Sequence, residues 1–199
     1  MLRERLKNYN LILASGSPRR QQFFRELDVD FEIRLKEVEE VYPAGLQREE
    51  ITNYLAELKA AAFDQELKEQ DILVTSDTIV WHQGRALGKP TDFEDAIRIL
   101  KSLSGATHEV YTSVCFSTTR GRDVIQEKTE VTFRPLEEDE IIYYLEKYKP
   151  FDKAGAYGIQ DWIGLTAVTK INGSYANVMG MPMDKVFWYL KNFPHAGTV

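Results

Sequence analysis

LILASGSPRR, residues 11–20, decides the fold class. Asn10 to Ala14 is a short apolar run suited to a buried strand. Ser17-Pro18 then opens a helix, with the serine as N-cap and proline at the first helical position, where a missing N–H is no loss. Phe23, Phe24 and Leu27 give that helix one apolar face, and Phe31 to Leu35 alternates as a second strand. Strand-like and helix-like patterns continue to alternate along the chain. Ile51, Leu55, Leu58 and Ala62 recur at helical spacing between Glu49 and Leu67, with Lys59 beside the stripe rather than opposite it. Ile72 to Trp81 is a strong strand. Thr91 and Glu94 form a capping box for a helix through Leu103 that stops at Ser104-Gly105. Val110 to Ser117 and Val124 to Phe133 make a hairpin around Gly121. Ile141 to Tyr148 is helical, Leu165 to Ile171 is a strand, and Met183 to Phe193 is a last helix. Hairpins and helical crossovers both occur, so the expectation is an α/β fold built on a mixed sheet flanked by helices.

The chain has 199 residues, 43% of them hydrophobic, enough to bury a substantial core. No repeat, low-complexity tract or linker divides it, so residues 1–199 read as a single domain. No segment reaches the roughly 20 apolar residues of a membrane span. The start, MLRERLKNYN, lacks the apolar core of a secretory signal, which points to a soluble, cytoplasmic protein without a membrane partner. Cys115, the single cysteine, sits in an apolar strand and reads as a structural thiol. The net charge of −6 speaks against a nucleic-acid partner, whose binding rests on many cationic contacts.

Three segments can carry chemistry. In the first, Arg19 and Arg20 stand in the first turn of a helix, where the backbone dipole prefers anions. Either a phosphate chain is shared by the arginines, Ser15, Ser17 and the amides near Gly16, or this is a solvated helix end. In the second, ILVTSDTIVW at 72–81, Asp77 interrupts an apolar strand; such a carboxylate is costly unless paired or bound to metal, and otherwise hydrogen-bonds a turn. An aspartate-nucleophile phosphatase would need a second aspartate at position 79, which is Ile. GRALGKPTD, just beyond, is not a P-loop, because Pro90 stands where Ser or Thr is required. Lys59 can equally be a lysine snorkelling along a helix edge. In the third, FDKAGAYGIQ at 151–160, small residues allow close backbone approach, Lys153 can reach phosphate, and the Gln160 amide can both donate to and accept from a base edge. Asn172-Gly173 signals a turn, and Tyr175 to Met181 reads as a glycine-containing loop whose Asn177 is either polar lining or, the favoured reading, a satisfied core amide. His82, His108 and His195 lack zinc-ligand spacing, which leaves carboxylates with Mg2+ or Mn2+ as the metal chemistry.

Together these segments resemble the Maf-like family of nucleoside triphosphate pyrophosphatases. The resemblance runs through LASGSPRR at 13–20, LAELKA at 55–60, SDTIVW at 76–81 and LGKP at 87–90. It continues through LKSLSGATHEVYTSV at 100–114, DKAGAYGIQ at 152–160 and NVMGMP at 177–182. It implies two lobes with a cleft, similar to the inosine triphosphatase architecture, a homodimer, and hydrolysis between the α- and β-phosphates of a nucleoside triphosphate. It implies Asp77 as catalytic base or metal ligand. Lys59 and Lys89, with Arg19, Arg20 and Lys153, would bind the triphosphate and offset its charge. Ser15 and Glu40 match further site positions, Glu40 as a metal ligand. Arg19, Thr78 and Gln160 fall at the specificity positions of members acting on dTTP and UTP, so a pyrimidine triphosphate is expected; a 7-methyl-GTP preference is the nearest alternative. The chain departs from the family pattern at Asp161-Trp162, where Gly usually follows the glutamine, and at Tyr148-Lys149, where a Gly-Glu pair is common. The family is also linked to inhibition of septum formation, which would predict nucleotide binding without turnover.

Overall fold

The sequence from Asn10 onward builds β1 (Asn10–Leu13), to which α2 (Pro18–Glu26) and β2 (Glu32–Ile33) are connected; the short helix α1 (Leu2–Leu6) precedes them. The computed structural model describes residues 1–193. His195, one of the three histidines considered above, lies outside them. The remaining elements are α3 (Glu49–Ala61), β3 (Asp71–His82), β4 (Arg85–Leu87), α4 (Phe93–Leu103), β5 (Thr107–Thr118), β6 (Gly121–Phe133), α5 (Glu138–Tyr148), α6 (Trp162–Ala167), β7 (Val168–Asn172), α7 (Tyr175–Val178) and α8 (Met183–Asn192). A 3-10 turn at Ala154–Ala156 separates α5 from α6.

Seven strands form a sheet in the order β2-β1-β3-β5-β6-β7, with β4 on β3. The sheet is mixed, as expected. β1 runs parallel to both β2 and β3, while β4 is antiparallel to β3 and β7 to β6. The described chain divides into two compact units. The first comprises Met1–Asp77, Thr112–Gln126 and the chain from Gly180; the second comprises Thr78–Tyr111 and Glu127–Met179. β3, β5 and β6 each contribute residues to both.

In the first unit the period-2 geometry of strands sorts the core. Leu11 and Leu13 of β1, Ile72 and Val74 of β3, and Val114 and Phe116 of β5 pack with Leu2, Leu6, Phe24, Val186 and Leu190 of the helices α1, α2 and α8. The intervening residues Ile12, Leu73 and Cys115 face the other way and pack with Ala56 and Ala60 of α3 and with Phe63. Cys115 is buried there, and burial pushes its thiol up from the ordinary value, which suits a structural residue. In the second unit, Ala96, Ile99, Leu100 and Leu103 of α4 join Ile141, Tyr144 and Leu145 of α5 around Val80, Val110, Val131 and Phe133.

Several sequence expectations shift. The expected strand at 31–35 shrinks to Glu32–Ile33, both exposed, because it is an edge strand with β1 as its partner. The cap of α4 is Asp92, whose carboxylate accepts the Asp95 N–H at 2.7 Å, and not Thr91. The strand expected from Leu165 begins only at Val168, since α6 occupies the preceding residues. Gly164 permits that helix, because a Cβ there would lie 1.7 Å from the Ile159 carbonyl oxygen. The stretch from Tyr175 is a short helix capped by Ser174, which accepts the Asn177 N–H. Asn177 is buried, and its Nδ2 donates to Val110 O and Thr129 Oγ1. α1 and β4 carried no clear sequence signal.

Candidate active site

In the first unit the site starts at the turn between β1 and α2. Ser17 caps α2 by accepting the Arg20 N–H at 3.5 Å, and Ser15, which is buried, accepts the Ser17 N–H at 3.3 Å. Gln21 Nε2 donates to Ser15 O, so the turn is tied to the helix it precedes. Pro18 continues the helix without needing a partner for a missing N–H.

Arg20 resolves the conflict between a positive side chain and a helix N-terminus. Its Nε donates to Gly180 O at 2.8 Å and its Nη1 to Ser76 O at 2.9 Å. Burial lowers the guanidinium from its ordinary value, and the negative charge of Asp77 opposes that shift. Arg20 is therefore fastened to the strand residue immediately before Asp77. Arg19 is half-buried in the same first helical turn.

Asp77 is buried in β3. Its Oδ1 accepts a 2.6 Å charge-assisted hydrogen bond from Lys59 Nζ, and Lys59 also lies 3.1 Å from Glu40 Oε1. The α3 lysine that sequence left between a snorkelling surface group and a site residue thus bridges two carboxylates. Asp77 Oδ2 is buried and has no hydrogen-bond partner among the described residues. A buried carboxylate oxygen without a partner is costly.

Among the described residues no group of three or more His, Cys, Asp and Glu side chains is placed to hold a metal. Asp77 and Glu40 both contact Lys59 Nζ, and carboxylate oxygens are the ligand type that hard cations such as Mg2+ and Mn2+ take, one or two from the protein and the rest from phosphate oxygens and water. The unpartnered Asp77 Oδ2 is the observation that supports the fit.

In the second unit, Thr78 follows Asp77 directly along β3. Lys89 is exposed in the turn after β4 and makes no hydrogen bond or ion pair among the described residues. That turn is joined to the segment carrying Lys153, because Gly155 N–H donates to Gly88 O at 3.0 Å. Gly155 has φ +71°, and a Cβ there would sit 2.7 Å from Val80 Cγ2, so this position demands glycine. Lys153 Nζ is hydrogen-bonded to Asp152 Oδ1 at 2.7 Å. Gln160 is half-buried, and its Oε1 is buried without a hydrogen-bond partner.

Of two side chains that shape this segment, Tyr144 was not singled out from sequence and His108 was weighed only as a zinc ligand. Tyr144 of α5 is fully buried; its hydroxyl accepts the Gly158 N–H at 3.0 Å and donates to Asp161 Oδ2 at 2.8 Å. His108 Nε2 shares a 2.7 Å hydrogen bond with Tyr157 Oη, and burial pushes the imidazole down to about 3. The available signal was their place on buried faces, since a buried Tyr or His needs a polar partner. Asp161-Trp162 now has a physical role as well: Asp161 receives Tyr144 and leads into α6, and Trp162 packs edge-on against Tyr143 at 5.1 Å. Lys149 closes α5 in the left-handed conformation, with φ 46° and ψ 58°.

The chain is similar to known proteins over nearly its whole length. The chain is 64% identical over 190 residues to the dTTP/UTP pyrophosphatase of Flavobacterium johnsoniae, covering 96% of this chain and 98% of that protein. It is 59% identical to the dTTP/UTP pyrophosphatase of Flavobacterium psychrophilum, covering 96% and 98%, and 51% identical to that of Christiangramia forsetii, covering 96% and 97%. Among solved structures, the Staphylococcus aureus Ham1 protein overlays with a TM-score of 0.42 at 15% identity, over 62% of this chain and 71% of that one. The profile of Maf-like proteins matches residues 10–193, which takes in the Ser15–Arg20 turn, the Lys59–Asp77 pair and the Gly155–Gln160 segment alike, and the chain belongs to that family.

Proposed function

We propose that this protein hydrolyses dTTP and UTP to the nucleoside monophosphate and pyrophosphate. The carrying observation is Asp77, with one oxygen fixed by Lys59 and the other buried and unpartnered, in a chain whose near relatives are dTTP/UTP pyrophosphatases. Water attacks the α-phosphorus, its proton passes to Asp77 Oδ2, and the pyrophosphate leaves with the electron pair of the broken phosphorus–oxygen bond. Lys59 holds the Asp77 carboxylate in one orientation. Arg19, Lys89 and Lys153 bind the triphosphate oxygens and offset the charge that builds on the departing pyrophosphate. Arg20 acts through the main-chain carbonyls of Ser76, next to Asp77, and of Gly180, and Ser15 shapes the turn that leads to the arginines.

In the other role open to it, as a metal ligand with Glu40, Asp77 would hold a Mg2+ or Mn2+ ion that polarises the phosphate oxygens. Gln160 supports the pyrimidine reading: a carboxamide offers an acceptor and a donor side by side, which match the N3–H and a flanking carbonyl of thymine or uracil. Arg19 and Thr78 complete the specificity positions. The reading includes a homodimer at work in the cytoplasm, with neither nucleic acid nor membrane as partner. No helix among the described residues is long and apolar enough to cross a membrane.

The test is pyrophosphate release from a panel of nucleoside triphosphates with Mg2+ or Mn2+, comparing the wild type with Asp77→Asn. Loss of the base is expected to lower kcat by about 10²- to 10⁴-fold. An Asp77→Asn variant as active as the wild type would remove Asp77 from the mechanism. Tight nucleotide binding without release would leave a regulatory protein instead.

A further inference from the structure

The turn carrying Gln160 is closed twice. Asp161 N–H donates to Gly158 O at 3.0 Å, which makes 158–161 a tight turn with Gln160 at its third position. The Tyr144 hydroxyl then spans the same two ends from the core side, accepting from Gly158 N–H and donating to Asp161 Oδ2. Between these ends the Gln160 carboxamide lies over the bare α-carbon of Gly158. A Cβ at position 158 would meet Gln160 Nε2 at 2.8 Å and Asp161 Oδ2 at 2.6 Å. The amide's donor end is thereby set against the turn and its acceptor end, Oε1, is left buried and unpartnered.

We infer that Tyr144 is a positioning residue for base selection, its hydroxyl fixing the 158–161 turn so that Gln160 presents one amide orientation to the substrate base. An amide can serve uracil and thymine in one orientation and cytosine in the other, because the donor and acceptor of the pyrimidine edge exchange places between them. A turn held at both ends therefore gives discrimination that a free glutamine would not. Tyr144 does not itself touch substrate. Its ring is fully buried between α4 and α5 neighbours and stacks on Tyr148 at 5.3 Å, so the ring supports the core while the hydroxyl supports the turn. This inference rests on the dTTP and UTP pyrophosphatase reading above.

The experiment separates ring from hydroxyl. Tyr144→Phe keeps the packing and removes both hydrogen bonds. With dTTP, UTP and dCTP as substrates, KM for dTTP is expected to rise and the ratio of kcat/KM for dTTP over dCTP to fall, each by about tenfold, with kcat for dTTP within about twofold of wild type. Asp161→Ala removes the hydroxyl's acceptor without touching the core, so it should lower the same ratio. Asp161→Asn, which retains an acceptor oxygen, should restore it. An unchanged ratio in Tyr144→Phe and Asp161→Ala, or a fall in kcat alike for all three substrates, would overturn the inference while leaving the function intact. A wild-type enzyme that cleaves neither dTTP nor UTP would overturn both.

Discussion

Arg20, which the sequence leaves open between a phosphate contact and a solvated helix end, is given two backbone acceptors by the structure. Two arginines in the first turn of a helix suggest a shared anion, and Arg20 does find negative charge, but in the carbonyls of Ser76 and Gly180 and in the field of Asp77. Removing it leaves those carbonyls short of donors in a half-buried place, so Arg20→Ala is expected to cost about 1–3 kcal/mol in urea unfolding. It should also lower kcat, because β3 loses its fastening beside the base. Arg19→Ala should instead raise KM with little change in stability. Equal stability of Arg20→Ala and wild type would contradict the anchoring role. The Lys59–Asp77 pair was half legible: Asp77 was marked by its place in an apolar strand, whereas Lys59 was ambiguous because helical spacing fixes a face but not the partner across it. Tyr144 was not legible at all, since its hydroxyl partners lie 14 and 17 residues along the chain and no local pattern encodes them.

At the scale of elements, the long strands and the amphipathic helices α3, α4, α5 and α8 were readable because their apolar periods are sustained. The misreadings fall where tertiary packing overrides a weak local pattern. Leu165 to Ala167 is β-tolerant in sequence yet helical, because Gly164 lets the chain pass under the Ile159 carbonyl. The segment from Lys153 to Gln160 depends on another such contact. Gly155 combines a left-handed φ of +71° with close approach to Val80, and its N–H ties this segment to Gly88 beside Lys89. Gly155→Ala is expected to destabilise the protein by about 1–3 kcal/mol and to raise KM for dTTP, as the segment shifts and takes Lys153 and Gln160 with it. Unfolding curves and steady-state kinetics that coincide with wild type would show that the segment tolerates a side chain there.

For the molecule as a whole, stability carries a pH signature from His108. Its imidazole is buried beside Tyr157 and Phe133, with His82 adding a repulsive charge when protonated, and sits at about 3 in the folded state. The ordinary value is about 6.5, so between these values the unfolded chain binds a proton that the folded chain refuses. This contribution is fully present above about pH 6.5 and is lost as pH falls through the window below it. Lowering pH from 6.5 to 5 should therefore cost about 2 kcal/mol, read as a falling urea midpoint. His108→Gln, which keeps a polar partner for Tyr157, should flatten that slope. An identical slope in the variant would assign the acid sensitivity elsewhere.

The account as a whole stands on turnover. Its most direct test is pyrophosphate release by the wild-type protein from dTTP, UTP, dCTP and 7-methyl-GTP in the presence of Mg2+ or Mn2+. Stoichiometric monophosphate and pyrophosphate from dTTP and UTP, with the other two cleaved far more slowly, is the predicted result. Release confined to 7-methyl-GTP, or no release from any triphosphate, would contradict it.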